Sequence, residues 1–223
     1  MKTLFALLAV LALAPSVSAQ DQKPAPAKDV KVEVPFFGNE KCAYMKGKKV
    51  KMSQFVDTAH GRVWVCCSDC IEETKADGDK AYNKSYPKPK THALKTCPVS
   101  GNPLGKDAVA MKWQGHEFKL CCKDCVDGFK KNPDAFLAKI ENPKLKDCGN
   151  ANCPVSGEPA SGAVAIVGDE IVRLRSRKDA DEFKKDVATF LAKAKEKADA
   201  PKGEDGKKGE DGKPDAPKKE KND

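Results

Sequence analysis

The sequence predicts an α+β protein made of three small tandem modules, each a β-hairpin followed by two short helices. Three observations predict it. A cysteine-led segment recurs three times at nearly constant spacing. In each copy, apolar residues alternate on either side of a turn and then shift to helical spacing. Of the 223 residues, 33% are charged and only 6% aromatic, which is too little large apolar volume for one big core. Small cores stapled by metal or disulfide suit that composition better.

The repeat is set by Cys42, Cys97 and Cys153, whose starts lie 55 and 56 residues apart. In the first copy Cys42 leads to Cys66-Cys67-Ser68-Asp69-Cys70, and in the second Cys97 leads to Cys121-Cys122-Lys123-Asp124-Cys125. The intervening gap is 23 residues in both. The third copy keeps the opening, with Cys153-Pro154-Val155-Ser156-Gly157 repeating Cys97-Pro98-Val99-Ser100-Gly101. It also keeps the closing Phe183-Lys184-Lys185, which matches Phe129-Lys130-Lys131. Arg175, Ser176 and Asp179 stand where Cys121, Cys122 and Cys125 stand in the second copy, so the third is expected to be a structural or capping repeat.

Val109, Met111 and Trp113 alternate before a turn at Gln114-Gly115-His116, and Phe118 and Leu120 alternate after it. This is the pattern of a hairpin with one buried face. The first copy turns at His60-Gly61 and the third at Gly168-Asp169. Each cysteine cluster falls where the second strand passes into a helix. Asn132-Pro133 reads as an N-cap followed by proline at the first helical position, opening a helix that carries Phe136, Leu137 and Ile140. Asp186 takes the capping role in the third copy.

These signals divide the chain into a signal peptide over 1–19, a loose Pro/Ala/Lys-rich linker over 20–35, and modules over 36–85, 91–145 and 146–197. A Lys/Glu/Asp/Gly/Pro tail over 198–223 has nothing to bury and is expected to be disordered. The signal peptide is read from Lys2, the apolar run Leu4 to Ala14, and the small residues Val17 and Ala19 before the cut. The run is far shorter than the ~20 residues that span a bilayer. No stable membrane insertion is therefore expected after cleavage, and the mature chain is expected in the periplasm or outside the cell. The net charge is +8, but Lys is interspersed with Asp and Glu along the chain. That pattern reads as a solvated surface and not as a nucleic-acid stripe.

The cysteine clusters carry the chemistry. A CxxC pair on a strand-to-helix turn aims two sulfurs at one point, and a third cysteine from a distant loop completes a soft cup for zinc or copper(I). The candidate metal ligands are Cys42, Cys66, Cys67 and Cys70 in the first copy, and Cys97, Cys121, Cys122 and Cys125 in the second. A vicinal pair cannot easily place both sulfurs on one ion, so three strong ligands per copy are expected, with the fourth position open or shared. Met45 stands where Ser100 stands in the second copy; it reads either as a thioether ligand or as buried packing. His60 and His116 read as exposed turn residues, and His92, in a linker, has no evident role.

Trp113-Gln114-Gly115-His116-Glu117-Phe118-Lys119-Leu120-Cys121-Cys122-Lys123-Asp124-Cys125, the following Phe129 to Leu137, and the opening Cys97 to Gly101 together resemble YHS and TRASH-type heavy-metal-binding domains. The resemblance covers about residues 95–140 well, 40–82 fairly and 150–195 weakly. It implies a small treble-clef-like fold and a role in heavy-metal sensing, trafficking or storage. It also implies that Cys97, Cys121 and Cys125 are ligands, with Cys42, Cys66 and Cys70 as their counterparts. Cys67 and Cys122 are additions to that pattern, and the third copy has lost two of its three ligands.

The expected function is therefore an exported metal-binding protein, not an enzyme, with another exported protein as a further partner. No Ser-His-Asp or Cys-His set, glycine-rich phosphate loop or carboxylate pair appears in a recognisable frame. Two alternatives stay open. Ten cysteines in an oxidising compartment could staple a binding scaffold by disulfides, Cys148 with Cys153 included. The CxxC pairs could also cycle as thiol and disulfide, although no thioredoxin-like βαβ pattern follows either cluster.

Overall fold

A computed structural model describes residues 30–198. The signal peptide over 1–19, most of the 20–35 linker and the tail beyond Ala198 lie outside the described residues. Among those described, the chain is mixed α+β. Strand β1 (Val32–Glu33) precedes hairpin β2 (Phe55–Thr58) and β3 (Gly61–Trp64), then helices α1 (Ser68–Ala76) and α2 (Gly78–Ser85). Strand β4 (Lys90–Thr91) leads into hairpin β5 (Val109–Trp113) and β6 (His116–Leu120), then α3 (Lys123–Lys131) and α4 (Pro133–Glu141). Strand β7 (Lys146–Asp147) leads into hairpin β8 (Ala163–Val167) and β9 (Glu170–Leu174), then α5 (Arg177–Phe183) and α6 (Val187–Ala198). The order hairpin, helix, helix thus occurs three times, as three units.

Local chemistry accounts for the element boundaries. Gln114 and Gly115, with φ of 45° and 80°, make the two-residue turn between β5 and β6. Both central residues are left-handed, as a hairpin turn that follows strand twist requires. Gly115 is needed twice over, because a Cβ there would lie 2.7 Å from the Tyr86 ring. His116 is the first residue of β6, paired with Trp113, and so belongs to the strand and not to the turn. The Asp77 side chain caps α2 by accepting from the Lys80 amide at 2.9 Å. Asn132 precedes α4 with Pro133 at its start, but its side chain makes no capping bond; Asp186 accepts from the Thr189 amide at 3.3 Å at the start of α6.

Each unit has its own apolar cluster, which the first loop cysteine joins. Val63, Val65, Ala81 and Tyr82 surround Cys42; Phe118, Leu120, Phe129 and Leu137 surround Cys97; Val172, Leu174, Phe183 and Ala194 surround Cys153. In the first and third units a buried asparagine three residues before that cysteine tacks the loop to the hairpin. Asn39 donates to the Lys41 and Trp64 carbonyls and accepts from the Trp64 amide. Asn150 does the same with the Asn152 and Arg173 carbonyls and the Arg173 amide. Each side-chain amide thereby replaces a strand partner for buried backbone groups that would otherwise be costly to leave unpaired.

The units are not separate beads, and two expectations need correction. The third hairpin buries both faces. Ala163, Ala165 and Val167 face α5 and α6, while Val164 and Ile171 pack against Ala135, Ala138 and Leu145 of the second unit. Helix α4 lies over what would otherwise be a solvated face, which explains the unbroken apolar run in β8. The second correction concerns the linker. Its end is not loose: Val32 and Glu33 pair antiparallel with Val167 and Ile166, so β1 is an edge strand of the third unit's sheet, whose order is β1-β8-β9-β7. Arg177 donates to the Pro35 and Val34 carbonyls at 2.6 and 3.2 Å. Phe36 then meets Trp64 edge-on at 5.0 Å, and Phe37 meets His116 at 5.8 Å. The six residues Val32–Phe37 therefore touch all three units.

The hairpin tips also meet. The Gln114 amide donates to the His60 carbonyl at 3.0 Å, and the Gly115 amide to the Tyr82 hydroxyl at 3.1 Å. Between the hairpins runs a cleft lined by Arg62, Trp64, Trp113, Gln114 and Asp134. Burial in this cleft pushes the Asp134 carboxyl up to about 6, against the pull of Arg62 and Arg177. The folded protein thus holds a proton there that the unfolded chain releases near its ordinary value of 3.8. Stability contributed by this group falls as pH rises through that window. Asp134→Asn should therefore raise the stability at pH 7 by on the order of 1 kcal/mol, and the gain should vanish near pH 4. Urea unfolding at the two pH values checks this; equal gains at both would refute the burial argument.

Candidate metal centres

Each cluster forms from a loop and a strand-to-helix turn. The loop closes back on its first cysteine. The Cys97 amide donates to the Asn102 carbonyl at 2.7 Å, and the Gly101 amide to the Cys97 carbonyl at 2.8 Å. Cys153 repeats both bonds with Glu158 and Gly157, and the Cys42 amide donates to the Lys48 carbonyl at 2.9 Å. Gly101 sits at a φ of 76°, a left-handed position that lets the loop turn back. At the other end β3 and β6 run directly into the clusters. Cys67 and Cys122 occupy the N-cap positions of α1 and α3, and Cys70 and Cys125 lie in the first turns.

Two triads result. The sulfurs of Cys42, Cys66 and Cys70 all lie within 4.8 Å of one another, as do those of Cys97, Cys121 and Cys125. Cys121 and Cys125 are 3.4 Å apart. Sulfurs bound at about 2.3 Å to one tetrahedral ion stand about 3.8 Å apart, so little movement would seat a metal in either triad. Each triad could hold a metal ion, and all ten cysteines are free thiols. Cys67 and Cys122 lie outside the triads at their edge. Cys67 is 3.3 Å from Cys70, and the exposed Cys122 is 3.7 Å from Cys121. The Ser100 hydroxyl approaches the Cys121 sulfur at 3.3 Å, while Met45 is 39% exposed and so is not buried packing.

The loops favour thiolate. Burial opposes ionisation of Cys97, but the amides of Ser100, Cys121 and Val99 and the Ser100 hydroxyl outweigh it and bring the thiol down to about 6. Burial likewise opposes ionisation of Cys42, and the amides of Tyr44, Met45 and Cys66 again prevail and lower it. Burial and the neighbouring sulfurs push Cys125 up to about 12, and they raise Cys70 as well. A lowered thiol beside raised ones is what repulsion inside a small cluster of acids produces. A cation in the cup would remove that repulsion and allow the other thiols to ionise.

The third unit shows what replaces such a centre. Arg175 reaches the Asp179 carboxylate at 3.2 and 3.3 Å, and the Ser176 hydroxyl reaches it at 3.0 Å. Asp179 is buried and Cys153 fully so. An ion pair between the exposed Arg175 and the buried Asp179, with the Ser176 N-cap, stands where the other units carry their sulfurs. Cys148 is half-buried against the same core as Cys153.

Of the histidines, His60 keeps its turn position near Asp79, at 3.6 Å. The readings of His116 as exposed and of His92 as without a role are corrected. His92 Nε2 and His116 Nδ1 lie 3.0 Å apart, with Glu141 Oε1 3.5 and 3.4 Å from them. The two side chains are only 9% and 13% exposed. Burial lowers both rings from the ordinary histidine value, against the pull of Glu141, and so favours the neutral imidazoles. Sequence reasoning missed the group because its members come from a linker strand, a hairpin strand and the end of a helix.

No family model, curated protein or solved structure matches the chain. Among the described residues, no helix is long and apolar enough to cross a membrane.

Proposed function

We propose that this is an exported, non-enzymatic protein that holds soft metal ions, zinc or copper(I), one in each cysteine triad, for trafficking or buffering. The observation that carries the reading is the pair of matching triads, Cys42/Cys66/Cys70 and Cys97/Cys121/Cys125, each set by a closed loop and a helix start. Three thiolates and an open or shared fourth position suit an ion that is passed on, and Cys67 and Cys122 at the triad edges are the thiols nearest that position. The treble-clef-like module, the kinship with YHS and TRASH-type domains and the exported location belong to this proposal. The third unit, with its ion pair in place of sulfurs, serves as scaffold.

The test is metal content and free-thiol count on untagged protein from the exported fraction. About two thiolate-held ions per chain, seen with masked thiols, is the expected result. Neither metal nor free thiols would overturn the reading and leave a disulfide-stapled scaffold. Reversible loss of two thiols per cluster without metal would favour thiol-disulfide exchange, for which the 3.3 Å Cys67–Cys70 approach is the supporting contact.

A further inference from the structure

The His92, His116 and Glu141 group belongs to neither triad. Its three facing atoms are 3.0, 3.4 and 3.5 Å apart. Ligands at about 2.0–2.1 Å from a tetrahedral ion stand about 3.3–3.4 Å from each other, so the triangle already has the size of one coordination face. Backbone pairing and the Lys90 side chain hold the group in place. Lys90 and Thr91 pair parallel with His116 and Glu117, and the His92 amide donates to the Glu117 carbonyl at 2.8 Å, which sets the two imidazoles side by side. Glu141 is the last residue of α4, where the helix dipole favours a cation. Lys90 binds Oε2 of the Glu141 carboxylate, leaving Oε1 toward the imidazoles and orienting it as outer partners of metal ligands do. Phe37 covers one edge of His116, while Glu141 opens on a cleft lined by Phe37, Leu145 and Ile166, which gives an ion and its water a way in.

We propose that His92 Nε2, His116 Nδ1 and Glu141 Oε1 form a third metal site, for a borderline divalent cation such as zinc. Two imidazoles and one carboxylate suit zinc or a neighbouring first-row divalent ion and leave a position for water or another ligand. The site differs from the triads in donor chemistry: nitrogen and oxygen here, sulfur there. Seating the ion requires the His92–His116 hydrogen bond to open by rotation about χ2, a broad torsion in histidine. The ion then takes the place of the shared proton.

Cobalt(II) titration of the full reduced chain tests this, because thiolate ligands give intense sulfur-to-cobalt charge-transfer absorption and nitrogen and oxygen ligands do not. The expected result is one equivalent bound without new charge-transfer absorption, together with paramagnetic loss of the His92 and His116 ring signals in NMR spectra. That equivalent should disappear in His92→Ala and in Glu141→Gln. Any charge-transfer bands from the cysteines should remain in both variants, and unchanged backbone spectra would show that the units are still folded. Persistence of the third equivalent in either variant, or unperturbed histidine signals at cobalt saturation, would overturn the site and leave a hydrogen-bonded His–His–Glu–Lys cluster. Absence of charge-transfer bands with the histidine site intact would count against the thiolate reading alone.

Discussion

Replacing Cys70 and Cys125 together by serine is expected to strip both thiolate-held ions from the protein. Each is a buried member of its triad, 4% and 7% exposed, on the first turn of the helix that follows the hairpin. Serine keeps the size and the helix but withdraws one soft donor. Loss of an outer partner of a metal ligand already costs about 10–100-fold in affinity, so loss of a ligand itself should cost more than about 100-fold at each site. Cys125→Ser alone should remove one ion and leave the other, because each triad draws only on its own loop and helix. Cys122→Ser should keep both ions, since that sulfur lies outside the triad and in solvent. Elemental analysis after gel filtration reads the count directly. Loss of both ions in Cys125→Ser would mean that the triads are not independent, and full retention in the double variant would mean that the metal sits elsewhere. The melting temperature should fall with the metal, because an ion that binds only the folded state adds its binding free energy to stability.

Phe129→Ala is expected to have the largest effect on stability that does not involve metal. The ring is fully buried and packs against Phe118 at 5.0 Å, Trp113 at 5.6 Å and Phe136 at 5.8 Å. Truncating such a residue costs about 3–5 kcal/mol in transfer and cavity terms. Whole domains are stable by only about 5–15 kcal/mol, so the second unit should be unfolded or nearly so at 37 °C. Phe183 holds the corresponding place in the third unit, stacked on Phe190 at 6.0 Å, and its truncation should act in the same way. In the first unit the same place is taken by Thr74, fully buried and donating to the Cys70 carbonyl at 2.7 Å. Urea unfolding of metal-free protein measures the cost without the contribution of the triads. A loss below about 1 kcal/mol would show that the cluster repacks around the gap.

What could be read from sequence is tied to spacing. A hairpin shows as alternation about a turn, a helix start as a cap or proline, and a cysteine cluster as a fixed gap. The positions of β5, β6, α3 and α4, and the approach of Cys97 to Cys121 and Cys125, follow from contacts that each unit makes within itself. The third hairpin buries both faces, but the partner of the run Ala163–Val167, α4 of the preceding unit, is not a local feature. Nothing in the local sequence marks Asn39 and Asn150 for burial, which is decided by strands that return about two dozen residues later. Val32 and Glu33 are too few to signal a strand, and they become one only because the edge of β8 is vacant beside them.

The histidine group marks the boundary most clearly. His92 and His116 are 24 residues apart and share no motif, and Glu141 lies further on at the end of another helix. By itself the sequence determined three repeats, their mixed α+β character and two sets of cysteines, because short-range periodicity encodes those. Only the tertiary structure decided that α4 covers the third hairpin, that Val32 and Glu33 become an edge strand, and that two imidazoles and a carboxylate meet. Those outcomes depend on pairing of linker strands and on packing between units, and neither leaves a local period in the chain.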